Sequence, residues 1–248
     1  MVGGPILSFD VGGSFVKAGL VDVAQGRLAG EVLRRATPSD AAPGAVMDLL
    51  AAMAQELPSR GPVGLAFPAV AKRGVAWTAA NIDQRWIGTD ARALLEARVG
   101  RPVAFLNDAD AAGVAEMELG AGRGRDGTVM VLTLGTGIGT ALFVDGRLLP
   151  NTELGHLEVR GMEAEHRASA KVRMDRGLGW QEWADAVNEV LAAYHALLWP
   201  DVFIIGGGVT ENWERFGRLL ASRAEIVPAH FRNDAGMIGA AMAAADLQ

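Results

Sequence analysis

Two stretches combine residue types that can carry out proton transfer and hydroxyl recognition. "FLNDADAAGVAEMELGAG" (Phe105–Gly122) puts Asn107 and Asp108 side by side at the end of an apolar run. An amide and a carboxylate there can anchor a substrate hydroxyl and take its proton as general base. The same pair also makes an ordinary helix cap, and both readings stay open on the residues alone. "NTELGHLEV" (Asn151–Val159) sets Glu153 and His156 three residues apart around a glycine. A carboxylate and an imidazole on one short loop can both bond the hydroxyls of a polyol. The alternatives are a structural loop with a satisfied histidine, or a metal site, for which further ligands nearby are lacking.

Two glycine turns suggest what else such a site would hold. "LGTGIGTALFVDG" does not lead its glycines into a helix, as a dinucleotide fingerprint would, and it has no Gly-Lys-Ser/Thr ending. A glycine hairpin remains, whose backbone N–H groups, helped by the Thr136 and Thr140 hydroxyls, can bind phosphate without a cationic side chain. "DVGGSFVKAGLVD" (Asp10–Asp22) repeats the design: Gly12 falls on Gly135 and Asp22 on Asp145, an offset of 123 residues. Asp10 faces the first turn, and a carboxylate beside phosphate calls for a cation, Mg²⁺ being the natural one. An Asx-turn is the simpler alternative.

The elements that must position these groups alternate between strand and helix. Residues 6–9, 15–20 and 28–33 read as a strand meander, 45–56 as a helix and 63–67 as a strand. A helix over 90–99, a strand over 103–106 and a helix over 110–119 follow, the last capped by Asn107 or Asp108. Strands over 129–134 and 139–144 flank the second glycine turn. The longest helix spans 180–198, then come a strand over 202–205 running into "GGGV", a helix around 213–222 and another from 235 to the end. This is an α/β pattern.

With 248 residues, half of them apolar, the chain can bury a large core. A net charge of −6 argues against nucleic acid or an anionic membrane as main partner. The absence of cysteine excludes disulfides, thiolate zinc sites and thiol nucleophiles. The start lacks the pattern of a signal peptide, and no apolar run reaches membrane-spanning length, so a cytoplasmic location is expected.

In this combination the sequence resembles the ROK family of sugar kinases over nearly its whole length. "DVGGSFVK" is similar to that family's first phosphate motif, "NDADAAGVAE" to its catalytic aspartate motif and "LGTGIG" to its second phosphate motif. "FPAVAKRG", "AANIDQRW" and "RNDAGMIGAAMAA" follow the family's order. Most members carry a cysteine-rich zinc motif after the Glu-x-Gly-His segment. Here "EVRGMEAEHRASAKVRMDRGLGW" stands instead, which resembles the zinc-free branch, the polyphosphate glucokinases. Phe15, in place of a small residue, and Ala69, in place of glycine, depart from the pattern and bear on donor fit.

The resemblance implies a two-lobed, actin-like ATPase or ribonuclease H-like duplicated α/β fold with mixed sheets and a central cleft. Residues 1–107 would form a small lobe, onto which the helix 235–248 packs back, and 108–234 a large lobe. It implies a glucokinase that moves a phosphoryl group from inorganic polyphosphate or ATP to the 6-hydroxyl of glucose. Asp108 would be the base; Asn81, Asn107, Asp108, Glu153, His156 and Glu165 would hold the sugar. Asp10, Gly12, Gly13, Ser14, Lys17, Thr133, Gly135, Thr136, Gly137, Gly207 and Gly208 would line the donor site, with Mg²⁺ held through water by Asp10 and no zinc. Lys17 is expected to point away along its strand. Arg167, Lys171, Arg173 and Arg176 are candidates for a polyphosphate track, Arg167 and Lys171 sharing a face if that segment is helical, as are Lys72, Arg73 and Arg85. A homodimer is expected, the helix from Trp180 being a possible contact. The competing functions are an ATP-dependent kinase of another hexose (mannose, fructose or an N-acetylhexosamine), a non-catalytic sugar-binding protein and a sugar-responsive transcription regulator. The last would need an N-terminal helix-turn-helix ahead of the first strand.

Overall fold

The computed structural model describes residues 4–80 and 82–247. The chain divides into two compact units, residues 1–115 with 234–248, and residues 116–233. The division falls inside the helix Asp108–Leu119 rather than at its start. The helix's first turns belong with the C-terminal helix Ala235–Ala245: Gly239 lies so close to the Ala111 carbonyl that no Cβ would fit.

The first unit is built on the hairpin Ile6–Val11 and Phe15–Asp22. Beside Ile6–Val11 lie the parallel strands Val63–Phe67 and Val103–Asn107. The burial alternates along the second hairpin strand, as one covered face requires: Val16 and Ala18 enter a core with Val46, Met47 and Leu50 of the helix Pro43–Glu56. The opposite face, with Ser8 and Gly19, is covered by the C-terminal helix, where the Ser8 hydroxyl donates to the Met237 carbonyl at 2.7 Å. The strand expected over 28–33 is two strands, Arg27–Leu28 and Leu33–Ala36, separated by Gly30 at φ +121°. The second of these turns back to pair along Phe15–Ala18.

The second unit repeats the pairing. Its hairpin Thr128–Leu134 and Ile138–Val144 has the short strand Arg147–Leu149 on one side and the parallel strands Val202–Gly206 and Glu225–Pro228 on the other. Both sheets thus run short strand, hairpin, parallel strand, parallel strand, so the sequence echo corresponds to a duplicated sheet. The core joins this sheet to the helix Trp180–Leu198 through Trp183, Val187, Leu191 and Tyr194. Trp86 and Trp183 are fully buried, whereas Trp77 and Trp199 are mostly exposed. The helix expected around 213–222 is a single turn, Trp213–Phe216, followed by a 3₁₀ turn, Gly217–Leu219. At Gly217 the Trp213 indole occupies the space a side chain would need. The strand Glu225–Pro228 and the helices Ala164–Ala168 and Ala170–Arg176 escaped sequence analysis, because none carries a long periodic apolar pattern.

Candidate active site

The first unit supplies one glycine turn and the Asn107–Asp108 pair. At the turn, the Gly12 N–H donates to the Phe15 carbonyl at 2.9 Å, while Gly13, Ser14 and Phe15 stand exposed. Thr37 clamps it from the side, its hydroxyl donating to the Gly12 carbonyl at 2.7 Å and its N–H to the Ser14 carbonyl at 3.0 Å. Tying down carbonyl oxygens reduces the negative potential at the crest, which is what an anion-binding turn needs.

Asp10 lies directly across from Lys17, and the two form an ion pair at 3.0 Å. Lys17 therefore points to the same face as Asp10 rather than away, as strand alternation from the buried Val16 and Ala18 demands. Asp234, at the start of the C-terminal helix, shares this neighbourhood. Burial raises its carboxyl pKa above the ordinary value, with Lys17 lowering it and Asp10 adding to the rise. Sequence analysis missed Asp234, whose place depends on the chain end returning to the first strand.

Asn107 caps the helix that starts at Asp108. Its Oδ1 accepts from the N–H groups of Ala109 at 2.9 Å and Asp110 at 3.1 Å, and its Nδ2 donates to the Ala69 carbonyl at 3.1 Å. The cap reading is thus realised by Asn107, which is buried. Asp108 is half-buried, one of its oxygens accepting from the Ala109 N–H at 2.8 Å. Asn81, expected to hold sugar, lies outside the described residues.

The second unit supplies the other glycine turn and the Glu153–His156 loop. Here too the carbonyls are engaged: Gly135 N–H donates to the Gly137 carbonyl at 3.0 Å, and Lys171 N–H to the Gly135 carbonyl at 3.0 Å. Thr136 is exposed at the crest and Thr133 half-buried below it. Gly207, at φ +88°, packs against the Leu134 backbone where a Cβ has no room, bringing Gly207 and Gly208 next to this turn. The Thr140 hydroxyl is not directed at a ligand. It accepts from the Leu154 N–H at 3.1 Å and pairs with the Thr152 hydroxyl at 2.8 Å, anchoring the loop. The Tyr194 hydroxyl holds the same loop through the Leu154 carbonyl at 2.7 Å, and Gly155 packs on the Ile138 carbonyl.

That loop brings Glu153 and His156 to Glu163 and Glu165. His156 Nδ1 lies 3.1 Å from Glu163 and 3.8 Å from Glu165, and its Nε2 lies 3.7 Å from Glu153. Burial opposes charge on His156, but the Glu163 hydrogen bond and the charges of Glu165, Glu163 and Glu153 outweigh it, so its pKa is raised. Burial raises the Glu153 pKa; His156 lowers it and Glu165 adds to the rise. Glu163 was missed in the sequence, although it lies only two residues before Glu165. An imidazole among three carboxylates offers donors and acceptors closely spaced, an arrangement suited to a polyhydroxy ligand.

Three of the seven basic candidates are neutralised by carboxylates within the fold. Arg167 pairs with Glu189, Lys171 with Asp175 at 2.6 Å, and Arg85 with Asp83 at 2.8 Å and Asp40 at 3.5 Å. Arg173 stacks on Trp180 at 3.5 Å, and Arg176 donates to the His166 carbonyl at 3.4 Å. Arg167 and Lys171 do not share a helix face, since the chain breaks at Ser169, which caps the second of two short helices.

Comparison with known proteins identifies the family. The sequence pattern of the ROK family matches residues 6–171. The polyphosphate glucokinase of Mycobacterium tuberculosis strain H37Rv is 47% identical over 235 residues, covering 94% of this chain and 89% of that protein. The inorganic polyphosphate/ATP-glucomannokinase of Arthrobacter sp. strain KM superposes with a TM-score of 0.94 at 45% identity, covering 99% of this chain and all of that one. A ROK glucokinase from Streptomyces griseus, solved with glucose and AMPPNP, gives a TM-score of 0.81 at 27% identity, over 98% of this chain and all of that one. The two duplicated sheets, the paired glycine turns and these likenesses together make this chain a member of the ROK family, with its actin-like α/β fold.

Proposed function

We propose that the protein transfers a phosphoryl group to the 6-hydroxyl of glucose, using inorganic polyphosphate and also ATP as donors. The observation that carries this reading is the 47% identity with a polyphosphate glucokinase across 94% of the chain. Phosphoryl transfer depends mainly on positioning and charge stabilisation, and two glycine turns with engaged carbonyls supply backbone donors for phosphate oxygens. Asp108 accepts the proton of the attacking hydroxyl. Asn107 serves through the helix start it caps, fixing the backbone that carries Asp108. Glu153, Glu165 and His156 bond the remaining hydroxyls, with Glu163 holding His156 Nδ1. A site built to bond hydroxyls strongly disfavours analogues that lack them.

Asp10 and Asp234 supply hard oxygen donors that suit a divalent cation keeping part of its water shell, Mg²⁺ in this reading. When bound, such a cation neutralises charge on the transferring phosphoryl group. Mannose is a second candidate acceptor, because the Arthrobacter relative is a glucomannokinase. No helix among the described residues is long and apolar enough to cross a membrane. The reading carries with it a cytoplasmic homodimer, whose assembly state light scattering measures directly.

The deciding assay is glucose 6-phosphate formation by purified protein with glucose and Mg²⁺, comparing nucleotide-free polyphosphate with ATP. Turnover with polyphosphate supports the reading. Turnover with ATP alone would leave an ordinary hexose kinase, and turnover with neither would overturn the assignment.

A further inference from the structure

We infer that Arg34, held on the ring of Phe15, is a polyphosphate-binding residue that favours the polymeric donor. This rests on the proposed use of polyphosphate.

The placement follows from strand register. Residues directly opposite in an antiparallel pair point to the same face. Asp10 is opposite Lys17, and Lys17 is opposite Arg34, so the three form a cross-strand row. Phe15 lies two residues before Lys17 on the same strand and hence on the same face, at the end of the first glycine turn. The Arg34 guanidinium sits 3.7 Å from the centroid of the Phe15 ring. Phe15 is 43% exposed, on the face of the strand opposite the fully buried Val16.

Arg173 stacks on Trp180 without an ion pair among the described residues, so what sets Arg34 apart is its place in the cross-strand row beside the first glycine turn, where the neighbouring cations are compensated. Lys17 is compensated by Asp10, Arg35 by Glu56 at 3.0 Å, and Arg85, Arg167 and Lys171 by their own carboxylates. Among the described residues, Arg34 has no carboxylate within ion-pair distance, and its ordering contact is an aromatic face. Stacking on a ring limits the rotamers of a guanidinium while leaving its N–H donors available at the ring's edge. A fixed guanidinium recognises phosphate oxygens bidentately. A linear polyanion held at the first glycine turn has further phosphates to offer such a group. ATP ends at its γ-phosphate and carries a nucleoside instead, so the contact selects for polymer.

The test compares wild type, Arg34→Gln, Arg34→Lys and Phe15→Leu, each with long-chain polyphosphate and with ATP. Arg223→Gln, an exposed arginine of the other unit, makes the same charge change as a control. Arg34→Gln is expected to lower the ratio of polyphosphate to ATP kcat/KM about tenfold, the scale of one hydrogen-bonded charge. Arg34→Lys should recover part of that loss and Phe15→Leu should reproduce part of it. Direct binding of polyphosphate to an Asp108→Asn protein, with and without Arg34→Gln, should show the same weakening and a shallower salt dependence. An unchanged donor ratio in Arg34→Gln, or a change matched by Arg223→Gln, would overturn the inference. Failure of the wild type to use polyphosphate would instead overturn the underlying reading of the donor.

Discussion

Replacing Thr140 by valine isolates what holds the sugar-binding loop in place. The Thr140 hydroxyl is buried, accepts from the Leu154 N–H at 3.1 Å and pairs with the Thr152 hydroxyl at 2.8 Å. Valine has nearly the same shape and no hydroxyl, so the exchange removes polar chemistry without opening a cavity. Thr152 keeps its bond to the Thr140 carbonyl at 3.0 Å, which leaves the Leu154 N–H as the orphaned group. An unsatisfied, partly buried N–H costs about 1–3 kcal/mol. Urea denaturation should show that loss as a lower midpoint with an unchanged slope. Part of the same free energy must be returned when glucose orders Glu153 and His156, so the glucose KM should rise roughly 5- to 30-fold, corresponding to about 1–2 kcal/mol. Thr140→Ser separates the two effects. It deletes a methyl group, worth about 0.8 kcal/mol, while keeping the hydroxyl and therefore the glucose KM. A valine variant with normal glucose KM, or a serine variant that raises it equally, would refute the anchoring role.

Three further outcomes are expected. Asp108→Asn should reduce turnover by roughly 10²–10⁴-fold with little change in glucose affinity, read from initial rates and equilibrium binding, since a positioned base contributes on that scale. Gly239→Ala should destabilise the first unit by about 3 kcal/mol or more, measured by denaturation, because the added methyl has no room against the Ala111 backbone. His156 has a pKa raised above its ordinary 6.5, so its contribution to stability is fully present below that value and is lost as pH rises through the higher folded value. The His156 side chain is 40% exposed, which limits the effect to below about 1 kcal/mol. Denaturation midpoints between about pH 6 and pH 9 should show a smaller decline in Glu163→Gln than in wild type.

The sequence by itself determined the repeated unit. Glycines between two apolar runs, each followed by an aspartate turn, specified the hairpins of both sheets, because a glycine turn and strand alternation are local properties of the chain. It also placed Asn107 and Asp108 at a strand end, where the following helix needs a cap, and Glu153 and His156 around a tightly packed glycine. Tertiary structure decided which polar groups remain for a ligand. Thr140 could serve a phosphate or the loop, and only the approach of Leu154 assigns it to the loop. Lys17 was assigned its face by the core on the other side of its strand, and Arg167 and Lys171 were separated by the break at Ser169. Glu163 joins His156 through a chain reversal between short strands, and Asp234 nears Asp10 because the last helix returns to the first sheet. Such pairings join residues far apart along the chain or across short irregular turns, and neither hydrophobic period nor motif spacing records them. A carboxylate's partner is fixed by packing, so charge neutralisation was the part of this site that only the folded chain could reveal.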